Sequence, residues 1–184
     1  MCIFNLALTA RFFLAKKERI YMNKLYLITG PAGVGKSTLS IILANKLEKS
    51  ILIEGDYIYH IVEAGYVSAW KENNHLTVFW KNIKDLIKNG LEEGYDVVFN
   101  YIITKKDYEF LMENFKEYDV IFKVLITSEE ELLRRDSLRE IDVRMKERCI
   151  VLLNSFKKQN FSNEHIIDTT NLNIDETVNK IMKG

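Results

Sequence analysis

Proline occurs once in these 184 residues, cysteine twice and histidine three times. Cys2 and Cys149 stand too far apart to suggest a disulfide framework or a redox motif. With His60, His75 and His165 scattered, no spacing fits a zinc or iron site. Charge of one sign is missing too: 26 Lys and Arg balance 26 Asp and Glu. That balance gives no reason to expect a nucleic-acid face or an anionic-membrane face. Long apolar runs are also absent. The stretch Cys2 to Ala15 is interrupted by Arg11 and falls short of the ~20 residues that cross a bilayer. Lys16, Lys17 and Arg19 follow it, whereas a secretory signal carries its basic residues ahead of the apolar ones. A cytoplasmic protein without a membrane span is the expectation. Residues 1–21 read as an N-terminal extension, either disordered or a misassigned start ahead of Met22; an amphipathic anchor or partner helix is the alternative.

What remains is a chain of ordinary globular composition, 47% hydrophobic and 28% charged, enough for one domain over 22–184. Its eight glycines and single proline are not spread evenly. Three glycines and the proline fall in Gly30-Pro31-Ala32-Gly33-Val34-Gly35-Lys36-Ser37-Thr38. That segment fits the phosphate-loop pattern G-x-x-x-x-G-K-[ST] at every fixed position. An apolar run from Lys24 to Thr29 precedes it as a strand, and Leu39, Ile42, Leu43 and Leu47 follow at helical spacing. Backbone N–H groups from such a loop converge on phosphate oxygens, and the positive end of the following helix adds to the field. Lys36 is then placed to reach the β- and γ-phosphates, and Ser37 to hold Mg²⁺. The segment Gly30 to Thr38 as a whole, with Pro31, Ala32, Gly33, Val34 and Gly35 in its bend, is the expected nucleotide cradle.

Strands and helices alternate along the rest. Strands are expected at Ser50–Glu54, Tyr95–Ile103, Asp119–Ile126 and Glu164–Asp168. Helices are expected around Leu76–Leu91, Lys105–Lys116, Glu129–Glu140, Ile141–Asn160 and Asp175–Met182. The pattern predicts a three-layer α/β fold, a five-stranded parallel sheet covered by helices on both faces. Ligands in such sheets bind beyond the carboxyl ends of the strands. That rule gathers Gly30–Thr38, Glu54–His60, Asn100–Thr104 and Thr127–Ser128 into one expected rim.

Three features together resemble the small P-loop kinases of metabolites and nucleotides: gluconate kinase, shikimate kinase, adenylylsulfate kinase and chloramphenicol phosphotransferase. They are the loop, the carboxylates of Glu54-Gly55-Asp56 at the end of the second strand, and Arg134, Arg135 and Arg139 after the fourth. The resemblance implies a P-loop NTPase fold, ATP with Mg²⁺ and a small-molecule phosphoryl acceptor. It also implies a lid around residues 134–148. Asp56 is then the residue that takes or orients the acceptor proton, a second metal-side group beside Ser37, with helix N-cap as its structural alternative. Arg135 and Arg139, four residues apart, would face the phosphates, with Arg135 first; Arg144 and Arg148 are weaker candidates. Tyr57, Tyr59, His60, Tyr66, Trp70 and His75 occupy the segment where relatives form the acceptor pocket.

One position departs from the pattern. Where many P-loop proteins end the third strand with a Mg²⁺-holding aspartate, this chain has Asn100. Either Asp56 supplies the charge, or Mg²⁺ is bound more weakly, or efficient catalysis is lost. The reading is an ATP-dependent kinase of a sugar acid, sugar or antibiotic, with a nucleoside or nucleotide kinase or a non-catalytic ATP-binding module as alternatives. Thr104-Lys105-Lys106-Asp107 imitates the guanine-reading [NT]-K-x-D of GTPases, but it comes too early and no D-x-x-G accompanies it.

Overall fold

A computed structural model of the chain describes residues 23–69, 71 and 75–183. The expected extension over residues 1–21 and the candidate Trp70 lie outside the described residues. Five strands form one wholly parallel sheet: β1 (Lys24–Thr29), β2 (Ser50–Glu54), β3 (Asp96–Asn100), β4 (Asp119–Ile126) and β5 (Ile166–Asp168). Their spatial order is β2-β3-β1-β4-β5. Helices α1 (Lys36–Lys46), α2 (Gly55–Tyr59), α3 (His75–Glu92), α4 (Lys105–Phe115), α5 (Glu129–Ser137), α6 (Glu147–Lys158) and α7 (Ile174–Met182) connect them.

The strands are apolar on both faces because both faces are covered. Leu25 and Leu27 of β1, with Val97 and Phe99 of β3, point to one side. They pack there with Phe79, Ile83 and Ile87 of α3 and Leu111 and Phe115 of α4. The alternate residues Tyr26, Ile28 and Val98 point to the other side, against Leu39 and Leu43 of α1, Leu153 of α6, and Val178 and Ile181 of α7. A strand period of two, read against two helical layers, therefore fixes the three-layer sandwich.

The strand order matters for function. β1 is central, and the chain leaves it first toward β3 and β2, later toward β4 and β5. Such a reversal opens a crevice at the carboxyl end of β1, and the phosphate loop lies in it. Segments following β2 and β3 reach this crevice from one side. Segments following β4 and β5 reach it from the other.

Local differences from the sequence expectation have local causes. β3 ends at Asn100, yet Tyr101 N–H still donates to the Ile28 carbonyl and Ile103 N–H to Thr29 Oγ1. The chain thus stays beside β1 without a ladder. The helix expected from Ile141 starts only at Glu147, after a short 3₁₀ turn over Ile141–Val143. Asp136 takes the N–H groups of Met145 and Lys146, and Lys146 adopts φ 48°, which no α-helix contains. Thr104 and Asp107 make the capping box of α4, which accounts for the GTPase-like tetrapeptide as a helix start.

Gly30 shows how tightly the loop is set into the sheet. Its φ is 145°, and a Cβ there would strike the Leu125 carbonyl oxygen of β4. Backbone atoms in a sheet cannot yield. Gly30→Ala is expected to cost about 1–3 kcal/mol of stability, read as a lower midpoint in urea. An unchanged midpoint would contradict this packing.

Candidate active site

The phosphate loop is built from the end of β1 and the start of α1. Gly35 occupies the N-cap in a left-handed conformation, with no side-chain cap, and the first turn of α1 carries no acidic residue. The positive pole of α1 is therefore uncompensated, with its first N–H groups open to an anion. Ser37 and Thr38 are exposed there. Lys36 folds back over the loop, and its Nζ donates to the carbonyls of Gly30 and Pro31 at 3.0 Å each. Burial pushes its pKa down to about 8, partly offset by the negative charge of Asp56; Arg139 acts in the same direction as burial, and Glu54 against it. Lys36 thus feels Asp56, Glu54 and Arg139, three of the groups singled out for phosphoryl transfer.

Asp56 is not a helix cap. Helix α2 begins at Gly55, Glu54 stands in the cap position without a side-chain bond, and Asp56 lies in the first turn. Its carboxylate makes no hydrogen bond or ion pair with any described residue and lines the cavity over the loop. Gly55 is required because the Tyr101 ring fills the space a Cβ would need, 2.5 Å from Tyr101 Cδ2. Glu54 pairs in register with Asn100 of β3. By strand alternation both face the side of the sheet that carries α1. Asn100 is buried, with its amide nitrogen unpartnered.

The arginines after β4 differ sharply. Arg134 is largely exposed and forks onto Glu131 at 2.6 and 2.8 Å. Arg135 binds Glu131 Oε1, the Val34 carbonyl, and both Oγ1 and O of Thr169. Its guanidinium ties α5 to the phosphate loop and to the end of β5, so its charge is already engaged. Bonds from both arginines hold the Glu131 carboxyl down at about 2. Arg139 donates to Asp136 Oδ1 at 3.3 Å and is the more exposed of the two arginines near the loop. Arg144 donates to the Arg139 carbonyl. Arg148 lines the cavity.

Asp136 anchors this arm. Burial alone would raise its carboxyl pKa; the N–H groups of Met145 and Lys146, then Arg139 and the Cys149 thiol, more than offset that and hold it below its ordinary value. Residues 137–144 are thereby tied off at their base. Cys149 lies against Gly33 of the loop, and burial, then Asp136, raises its thiol to about 11. It is an inert packing group.

All of this surrounds one cavity of about 1730 Å³. That exceeds what a single drug-sized ligand fills, ~300–1,000 Å³. Residues Ala32 to Leu39 form its floor. Asp56, Tyr59, His60, Tyr66, Trp80, Tyr101 and Phe110 line the side reached from β2 and β3; Glu131, Arg135, Arg139, Thr169 and Asn173 line the side reached from β4 and β5. The expected rim is corrected at several points: Gly30, Pro31, Glu54, Gly55, Tyr57, Ile58, Asn100 and Ile103 do not line the cavity. Thr127 and Ser128 do not line the cavity, and the turn after β5 does, because Thr127 and Ser128 are bonded to Thr170. Sequence reasoning missed Thr169, which follows a three-residue strand with no motif of its own. It also missed Asp107, Phe110 and Trp80, whereas Tyr101 lies within the expected Asn100–Thr104 rim.

The aromatic candidates fare unevenly. Tyr59 is buried and donates from Oη to the Val67 carbonyl at 2.6 Å; His75 Nδ1 accepts from Val67 N–H. His60 stacks on Tyr66 at 5.4 Å, with Nδ1 donating to the Asp56 carbonyl. Tyr57 is 75% exposed and lies outside the cavity.

A family model described as AAA domain matches residues 27–169 of the chain. The chain belongs to the AAA domain family. Solved structures share its fold along almost its whole length. The tunicamycin resistance protein of Deinococcus radiodurans has a TM-score of 0.65 at 19% identity, over 88% of this chain and 94% of that one. A gluconokinase from Sinorhizobium meliloti 1021 gives 0.62 at 17% identity, over 89% and 91%. Thymidylate kinase from Candida albicans gives 0.58 at 17% identity, over 88% and 90%. No curated protein is significantly similar in sequence. This AAA domain has the fold of the P-loop small-molecule kinases, at identities that speak for the fold alone. Among the described residues, no helix is long and apolar enough to cross a membrane.

The lowered Lys36 gives this AAA domain a pH signature. Nucleotide phosphates restore the cationic form, so ATP binding near pH 9 should take up close to one proton, and near pH 7 a small fraction of one. Calorimetry in buffers of different ionisation enthalpy measures this. Uptake that does not grow between pH 7 and pH 9 would remove Lys36 from the phosphate site.

Proposed function

We propose that this AAA domain is an ATP-dependent phosphotransferase that acts on a hydroxyl of a small metabolite, a sugar, sugar acid or antibiotic, in the manner of a gluconate kinase. The observation that carries this reading is the pairing of Lys36 on the phosphate loop with an unengaged Asp56 carboxylate across the same cavity. Fold neighbours named as a gluconokinase, a sugar kinase and a thymidylate kinase support phosphoryl transfer as the reaction class.

In this account the acceptor oxygen attacks the γ-phosphorus, the bond to the β–γ bridging oxygen breaks, and ADP leaves. The acceptor's proton passes to Asp56. Lys36 and the N–H groups at the start of α1 hold the charge of the phosphates, and Arg139, near enough to act on Lys36, meets charge that develops on the transferring group. Arg135 positions the loop through Val34 and Thr169. Mg²⁺ suits the oxygen donors available, the Ser37 hydroxyl with the carboxylates of Asp56 and Glu54, and would neutralise phosphate charge there. Asp56, which lines the cavity, would supply the negative charge that the Asn100 amide lacks.

A nucleoside or nucleotide kinase is the second reading, favoured by the exposed stack of Tyr66 on His60 and by the Trp80 ring in the cavity wall. Aromatic faces of that kind stack on bases.

The test is ADP release from Mg²⁺-ATP against sugars, sugar acids, nucleosides, nucleotides and antibiotics. Lys36→Ala should abolish acceptor-dependent release. Asp56→Asn should lower turnover by ~10²-fold or more while changing ATP affinity by less than about threefold. Turnover near wild type in Asp56→Asn would leave Asp56 without a part in the chemistry, and equal activity in Lys36→Ala would end the phosphotransferase reading.

A further inference from the structure

Between Ser37 and Leu133 the sequence contains no arginine. The described arginines, Arg134, Arg135, Arg139, Arg144 and Arg148, all fall within a fifteen-residue stretch of the chain between β4 and β5. The segments reaching the cavity from β2 and β3 therefore bring no guanidinium to it. What they bring is aromatic and acidic. Trp80 meets Tyr101 edge-on at 6.1 Å and Phe110 at 6.2 Å. Leu76 and Ile102 fill in beside them, and Tyr66 stands at the mouth, 43% exposed. The polar groups are Asp56, Asp107, the Tyr101 phenol, His60, Thr77, Thr104 and one cation, Lys106. Burial raises the Tyr101 hydroxyl well above its ordinary pKa, and the negative charges of Asp56 and Asp107 raise it further. Both carboxylates thus bear on the same phenol.

Of the cations facing these walls, Lys36 and Arg139 are taken up by the phosphate site of the reading above, and Arg134 and Arg135 are paired with Glu131. On the near side Lys106 is exposed in the first turn of α4, where water screens it. Arg148 lines the cavity from the start of α6 and already has an interaction within the protein. An anionic acceptor needs a planar fork or a cluster of cations to replace its hydration; two carboxylates beside apolar walls repel it instead. A flat, uncharged molecule suits the same walls, with its faces on Trp80 and Tyr66 and its hydroxyls toward Asp56, Asp107 and Tyr101.

We infer that the acceptor is an uncharged polyhydroxyl molecule carrying an aromatic or heteroaromatic ring, and that the site discriminates against carboxylate- and phosphate-bearing acceptors. This rests on the phosphotransferase reading above and narrows it: sugar acids and nucleotides leave the acceptor set, whereas nucleosides and ring-bearing sugars or antibiotics stay.

The test compares probes that differ by one anionic group, phenyl β-glucoside with phenyl β-glucuronide and thymidine with thymidine 5′-monophosphate. Binding is measured by calorimetry to the full chain saturated with Mg²⁺-ADP. The neutral member of each pair should bind at least tenfold more tightly. Tyr66→Ala, at an exposed position, should weaken the neutral probes at least fivefold without altering ADP affinity. Phe110→Arg, also on the exposed rim, should raise affinity for the anionic member of each pair. Tighter binding of the anionic members to the wild type would overturn the inference, as would neutral probes that fail to bind the ADP-loaded protein. A chain that does not bind Mg²⁺-ADP at all would bring down the phosphotransferase reading, and the inference with it.

Discussion

Lys36 carries a charge into a place where water only partly reaches it, and the rest of the site is arranged around that fact. The drop from an ordinary 10.5 to about 8 corresponds to a charged form disfavoured by on the order of 3 kcal/mol. Two loop carbonyls and the field of Asp56 and Glu54 compensate in part. Phosphate oxygens would compensate further, together with the uncapped start of α1. The free protein therefore holds an anion site whose main cation is poorly satisfied, and this is the form of pre-organisation that favours a highly charged ligand.

That arrangement depends on a loop that cannot drift. Gly30 is pressed onto the carbonyl of Leu125, Gly33 onto Cys149, and the Val34 carbonyl is held by Arg135. Arg135 also grips Thr169, so the central strand, the arm after β4 and the turn after β5 are joined through one guanidinium. Asp136, one residue along, ties the base of the arm by two N–H groups. Adjacent residues thus divide the labour: Arg135 fixes the floor of the cavity and Asp136 fixes the arm that carries Arg139.

Much of this was legible in the sequence. The phosphate loop, its flanking strand and helix, and the alternation that makes a doubly covered parallel sheet follow from residue spacing alone. Asp56 was legible from its position after β2, although only the structure separates it from a helix cap, one residue away. Arg135 and Arg139 show where such reading stops. Four residues apart on one helix, they look equivalent, yet one is consumed by Glu131, Val34 and Thr169 and the other is not, and those partners lie up to 101 positions away. Trp80 was hidden for another reason: an aromatic on an apolar helix face reads as core until its neighbours are known. Thr169 has no local signal, because its importance comes from what the preceding strand sits beside. The start of the helix expected over Ile141–Asn160 moved to Glu147 for a like reason, since a carboxylate at Asp136 competes for backbone N–H groups that periodicity assigns to the helix.

The central claim is that Lys36 leaves its own loop for the phosphates of a nucleotide. A crystal structure of the chain with Mg²⁺ and a non-hydrolysable ATP analogue tests it most directly. The account predicts phosphate oxygens against the N–H groups of Gly33 to Ser37, and Lys36 Nζ withdrawn from the Gly30 and Pro31 carbonyls onto those oxygens. A nucleotide bound elsewhere, or Lys36 still seated on its two carbonyls beside a bound nucleotide, would contradict it.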